Sequence, residues 1–96
     1  QIWYFQTKGS LKRQGYHGER DNQVYVNGLL KKADPELRYE PVSTGEKRYL
    51  VNTSGTIQKA TSSSSSASRP ELGKGFKDIK DSNDTVWTVD TSGIIQ

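Results

Sequence analysis

The side chains best suited to chemistry in this chain are its aromatic rings: Trp3, Tyr4, Tyr16, Tyr25, Tyr39, Tyr49, Phe76 and Trp87. A ring presents an electron-rich face that attracts a cation without a hydrogen bond, contributing roughly 0.5–2 kcal/mol when well placed. The same faces can serve as platforms for sugars. The competing use is structural, since a buried ring removes about 150–250 Å² from water and dominates a small core. The sequence leaves both uses open for each ring. Other chemistry finds less support. His17 is the single histidine and cysteine is absent, so no zinc ligand set can be completed. Asp78, Asp81 and Asp84 recur at three-residue intervals and could gather oxygens around calcium, but the EF-hand spacing and glycine are missing. Asp81-Ser82-Asn83-Asp84 instead suggests an Asx-type turn. Glycoside hydrolysis needs two acids flanking a cleft, with environments that push their pKa values apart, and nothing in the pattern encloses them. A nucleophile motif and a phosphate-cradling glycine loop are likewise missing. The expectation is a non-catalytic protein with no cofactor and no metal.

The elements that must position these rings come from a phrase repeated four times. An aromatic or β-branched run is followed by a turn ending in glycine, then by an aliphatic residue and Lys or Gln. It occurs as Trp3-Tyr4-Phe5 leading to Gly9-Ser10-Leu11-Lys12, and again as Val24-Tyr25-Val26-Asn27-Gly28-Leu29-Leu30-Lys31. The closest pair is Tyr49-Leu50-Val51-Asn52-Thr53-Ser54-Gly55-Thr56-Ile57-Gln58 and Trp87-Thr88-Val89-Asp90-Thr91-Ser92-Gly93-Ile94-Ile95-Gln96. Strand, glycine turn and short return strand make a hairpin, and one hairpin alone is at best marginal in water. Four copies therefore predict an all-β array of stacked β-hairpin repeats, β-solenoid-like, forming one module over residues 1–96. The repeats span about 1–13, 15–32, 38–59 and 74–96. First strands are expected over Gly15-Tyr16-His17-Gly18-Glu19-Arg20, Arg38-Tyr39-Glu40-Pro41-Val42 and Gly75-Phe76-Lys77-Asp78-Ile79-Lys80. Turns follow near Asp21-Asn22, at Ser43-Thr44-Gly45 and over Asp81–Asp84. Only Asp34-Pro35-Glu36-Leu37 suggests a helical turn. Residues 60–73 contain Ser62-Ser63-Ser64-Ser65-Ser66 and offer nothing apolar to bury, which predicts a mobile surface loop whose deletion leaves stability nearly unchanged.

Composition agrees with this organisation. With 96 residues, 30% of them apolar, and a mean hydropathy of -0.87, the chain is short and polar for a conventional core. An array in which each unit packs only on its neighbours needs less core per residue. Net charge is +3, from 14 basic and 11 acidic residues dispersed along the chain. The pairs Lys12-Arg13, Lys31-Lys32 and Lys47-Arg48 read as solvated strand ends that discourage edge pairing. A nucleic-acid binder would concentrate them on one face, so no nucleic-acid partner is expected. They would still attract an anionic polymer, in a manner that salt weakens. No apolar run is long enough to span a membrane. The chain starts at Gln1 without initiator Met or signal segment, and is read as a mature or excised piece.

The order of Gly-aromatic, a polar turn, a Trp/Tyr-rich strand, Asp or Asn, two residues, Gly, aliphatic and Gln resembles the choline-binding and cell-wall-binding repeats of Gram-positive bacteria. Related repeats occur in glucan-binding domains and clostridial toxins. Gly75-Phe76-Lys77-Asp78-Ile79 together with Val86–Gln96 carries the resemblance best, and Gly55 with its flanks comes next. The resemblance implies a secreted, wall-associated protein whose hairpin repeats hold it to teichoic acid, choline or glucan. In its choline sites, rings from successive hairpins cage a quaternary ammonium ion. Tyr16, Tyr39 and Phe76 would stand at the family's Gly-Trp position, and Trp3, Tyr4, Tyr25, Tyr49 and Trp87 on the second strands. The alternative is a structural spacer, or a protein-interaction or host-glycan-binding module of a surface protein or toxin. Open terminal hairpins would also permit self-association.

Overall fold

The computed structural model describes residues 5–8 and 12–96, with side chains from Gly15 onward. Trp3, Tyr4 and the Gly9-Ser10-Leu11 turn lie outside the described residues. Strands of two to five residues form four small antiparallel sheets, and a 3-10 turn at Pro70–Leu72 is the one helical element among the described residues. The chain is all-β, as its alternation and its Val, Thr, Tyr and Trp content predict. β1 (Phe5–Lys8) pairs with β2 (Lys12–Gly15). β3 (Gly18–Arg20), β4 (Gln23–Val26) and β5 (Leu29–Leu30) form a three-stranded sheet. β6 (Tyr39–Ser43) pairs with β7 (Arg48–Asn52), and β8 (Lys77–Lys80) with β9 (Val86–Val89).

The turns follow from local polar chemistry. The Asn52 side-chain oxygen accepts the backbone N–H groups of Ser54 and Thr56 at 3.0 and 2.9 Å. Asp90 accepts those of Ser92 and Ile94 at 2.8 and 3.0 Å, and Asp81 those of Asn83 and Thr85 at 2.8 and 3.0 Å. In each turn the residue three positions later has a positive φ: 86° at Gly55, 86° at Gly93 and 64° at Asp84. One Asx turn is thus used three times, which is why the phrase reads Asn or Asp, two residues, Gly. The second unit instead uses tight two-residue turns at Asp21-Asn22 and Asn27-Gly28, all four residues having positive φ, as type I′ geometry requires.

The aliphatic-Gln ending of the phrase joins one unit to the one before it. Ile57 bridges to Val51 of its own unit, while Thr56 bridges to Gln23 of the second unit. Accordingly Ile57 N–H donates to the Asn22 carbonyl at 2.8 Å and Gln58 N–H to the Leu50 carbonyl at 2.8 Å. The fourth unit repeats the arrangement: Ile95 N–H donates to Arg48 at 2.8 Å and Gln96 N–H to Thr88 at 2.9 Å. The turn glycine fits closely against the preceding unit. A Cβ on Gly93 would fall 2.1 Å from Ile57 Cγ2 and 2.9 Å from the Gln58 carbonyl oxygen, and one on Gly55 would fall 3.1 Å from the Lys31 carbonyl oxygen.

Two apolar clusters lie between the units. Val24 of the second unit packs with Val42, Tyr49, Val51 and Ile57 of the third. Leu50 of the third packs with Ile79 and Val89 of the fourth, flanked by Tyr39, Trp87 and Ile95. Tyr49, Leu50 and Val51 are consecutive and all buried, because β7 is covered on both faces. Leu50 pairs with Pro41 across β6–β7. The Leu50 N–H and carbonyl are bonded to Gly93 and Gln58, away from β6, so the missing N–H of Pro41 costs the ladder nothing.

Two expectations change. Residues 15–20 do not form one strand: Gly15 ends β2, and β3 begins at Gly18. The break follows from the next turn, because Gly28 N–H donates to the Tyr16 carbonyl at 2.7 Å and a Cβ on Gly15 would meet the Asn27 carbonyl carbon at 2.4 Å. The Ser-rich segment is a loop, but one tied to the fold. Ser64 closes a turn on the Thr61 carbonyl at 3.1 Å, Gly75 N–H donates to the Ser64 carbonyl at 2.8 Å, and Ser66 is only 2% exposed. Its hydroxyls supply the partners that the apolar count could not foresee. The Asp34–Leu37 turn forms as expected, with Leu37 and Arg38 N–H groups both reaching the Asp34 carbonyl.

Candidate functional site

The aromatic residues divide by position. Tyr25 and Tyr49 are buried, at 8% and 7% exposure. Tyr16 is half-buried, its ring edge-on to Tyr25 with centroids 6.1 Å apart, and the Arg20 guanidinium lies 5.9 Å from its centroid. The Tyr16 hydroxyl donates to the Glu19 carbonyl at 2.9 Å. Tyr39 and Trp87 are half-buried against the Leu50 cluster. Phe76 is half-buried just before β8. The structure thus brings Tyr16 to Tyr25 and places Tyr39 and Trp87 on one cluster, and among the described residues it does not gather several rings around a single opening.

A groove nevertheless crosses the units. A cleft of about 480 Å³ is lined by His17, Gly18, Glu19, Thr44, Glu46, Lys47 and Tyr49. A second, of about 270 Å³, shares Glu19, Lys47 and Tyr49 with the first and continues to Lys59, Thr91, Ser92 and Ile94. The groove is therefore bordered by the second, third and fourth units, with Tyr49 common to both parts. Turn chemistry shapes its rim: Glu19 accepts the Asn22 N–H at 2.9 Å, and Lys59 Nζ donates to the Asn22 side chain. His17 Nε2 lies 2.6 Å from the Thr44 carbonyl oxygen, so Nε2 carries the proton that bridges the second and third units. The lining includes Glu19 and Glu46, Lys47 and Lys59, side chains that can hydrogen-bond hydroxyl groups and attract phosphate. Sequence reasoning singled out Tyr49, named Lys47 only within a basic pair that would attract an anionic polymer, and overlooked Glu19, Glu46 and Lys59. The available signal was their position in or beside the turns of successive repeats.

The acidic residues considered for calcium have other duties. Asp78 Oδ1 accepts the Ser66 hydroxyl, the Ser68 hydroxyl at 2.9 Å and the Thr88 hydroxyl at 3.0 Å, while Oδ2 accepts the Ser68 N–H at 2.8 Å. The Ser66 bond, with those from Ser68 and Thr88, outweighs partial burial and holds the Asp78 carboxyl at about 2, below its ordinary 3.8. Burial raises the Asp81 carboxyl, but bonds from the Trp87 indole at 3.1 Å and from the Thr85 and Asn83 amides prevail, leaving it below its ordinary value. Among the described residues no three acidic or histidine side chains gather as a metal site. Comparisons with protein-family models, curated proteins and solved structures found no match.

Proposed function

We propose that this chain is a non-catalytic, extracellular module of stacked β-hairpin repeats that anchors a larger bacterial protein to a cell-wall polymer or surface polysaccharide. The observation that carries the reading is the groove bordered by three successive units around Tyr49. A long polymer can lie along such a groove, with each contact weak and the repeats adding through effective concentration. The lining favours a glycan or a polyol-phosphate chain over choline. A quaternary ammonium cage requires several rings around one cation, and Tyr49 is the one aromatic side chain lining either cleft among the described residues. Lys47 and Lys59 would meet phosphate, and Glu19, Glu46 and Thr44 would meet hydroxyls.

Retention on purified Gram-positive cell walls tests this reading, with soluble glucan, choline and salt as competitors. Glucan or teichoic acid should release the protein, choline should not, and Lys47→Ala with Glu46→Ala should weaken retention without lowering Tm. A folded protein that passes through without retention overturns wall anchoring and favours the spacer or protein-interaction reading. That second reading draws on the burial of Tyr25 and Tyr49, which commits those rings to packing.

A further inference from the structure

The outward faces of successive units differ in one respect. Val24, Leu50 and Thr88 are equivalent, because their carbonyls accept the N–H groups of Lys31, Gln58 and Gln96 at the ends of their own units. Val24 is buried against Tyr49 and Val51 of the following unit, and Leu50 against Ile79 and Val89 of the following unit. In the fourth unit the position carries Thr88, and its cross-strand partner is Asp78, where the second and third units have Glu19 and Pro41. Two aliphatic side chains that receive a neighbour thus give way to a hydroxyl, which donates to the carboxylate across the strand pair. Thr88 is nevertheless only 5% exposed. The Ser-rich segment covers the pair: the Ser68 hydroxyl lies 3.5 Å from that of Thr88, and Ser66 and Ser68 both donate to Asp78.

We propose that the Ser-rich segment is the terminal cap of this repeat series, occupying the face on which a further unit would otherwise pack. A following unit would present apolar side chains to Asp78 and strip its carboxylate of the three hydrogen bonds from Ser66 and Ser68, leaving a buried charge with the Thr88 hydroxyl as its remaining partner. Repeat series need such polar ends to remain soluble. Val86 fits the same reading. Its carbonyl corresponds to those of Asn22 and Arg48, which accept the N–H groups of Ile57 and Ile95 of the following units, and at 44% exposure Val86 marks the edge at which a further copy would pair once the cap is displaced. The cap rests on the register between units and not on any ligand, so failure of wall binding leaves it standing.

Amide exchange on the unmodified protein, with light scattering over a concentration series, provides the test. The Ser68 and Gly75 amides should be protected, and no association should occur through β9. Asp78→Leu combined with Thr88→Leu should speed exchange at Ser68 at least tenfold and produce concentration-dependent dimers, which adding Val86→Lys reverses. If that pair fails to fold, Ser66→Ala with Ser68→Ala is read instead: exchange at Ser68 and Gly75 should accelerate while that of Ile57 stays slow. Free exchange at Ser68 in the unmodified protein overturns the cap. So does a folded leucine pair that stays monomeric with Ser68 protected, or unchanged protection in the alanine pair.

Discussion

At the scale of single residues, the glycine of the repeated phrase answers to two demands, backbone conformation and close packing, which a turn glycine outside the phrase helps to separate. Gly93 has a φ of 86° and no room for a Cβ, which would lie 2.1 Å from Ile57 Cγ2, whereas Gly45 has a φ of 98° with nothing within 4 Å. Gly93→Ala should therefore cost more than about 2 kcal/mol and Gly45→Ala about 1 kcal/mol, read as the difference in denaturation midpoints. Equal losses would mean that backbone strain alone accounts for the repeated glycine. Asp78 contributes to the loss of stability in acid. Its folded value of about 2 lies below the ordinary 3.8, so its contribution is complete above the unfolded value and is lost as pH falls from about 4 towards 2. Thermal melts across that window should fall more steeply for the natural protein than for Asp78→Asn. The rings show how far single residues could be read from sequence. Their recurrence was plain, but period-two alternation assigns a strand's faces only when one face meets water, and β7 meets protein on both.

At the scale of elements, the hairpins were legible and their partners were not. Asn52, Asp81 and Asp90 bind amides two and four residues ahead, so their turns are written locally in the chain. The return segments divide their hydrogen bonds between two strands, one of them contributed by the preceding unit, and no local pattern states that. The break between β2 and β3 has the same origin, because the constraint on Gly15 comes from Asn27 and Gly28. The Ser-rich segment was misjudged for a related reason: its hydroxyls are satisfied by Asp78, ten or more residues along the chain. Deleting Ser62–Ser66 removes the buried Ser66 hydroxyl and should lower Tm by several degrees, since each kcal/mol shifts a domain of this size by roughly 4–8 °C. An unchanged Tm would restore the view of that segment as a loop without structural duties.

At the scale of the whole molecule, stability concentrates where two interfaces meet. Leu50, Val24, Val51 and Val89 are the largest fully buried side chains among the described residues, and β7 contributes to both clusters. Leu50→Ala should cost about 2–5 kcal/mol in a denaturant titration, because the cavity opens between the third and fourth units and neither can close it alone. Loss of the fourth unit's amide protection together with the third's would show that the interface is shared. A change confined to β7 would show that the units fold independently. The extents of 50 × 27 × 18 Å suit a chain whose units touch in sequence. The two-sided burial of β7 also bears on how such a chain can change length in evolution. A duplicated third unit carries apolar residues on both sides and can be inserted between its neighbours. A duplicated fourth unit would bring Asp78 and Thr88 to an interface from which Ser66 and Ser68 had been displaced, so under the capping proposal growth by duplication is easier at the third unit than at the fourth.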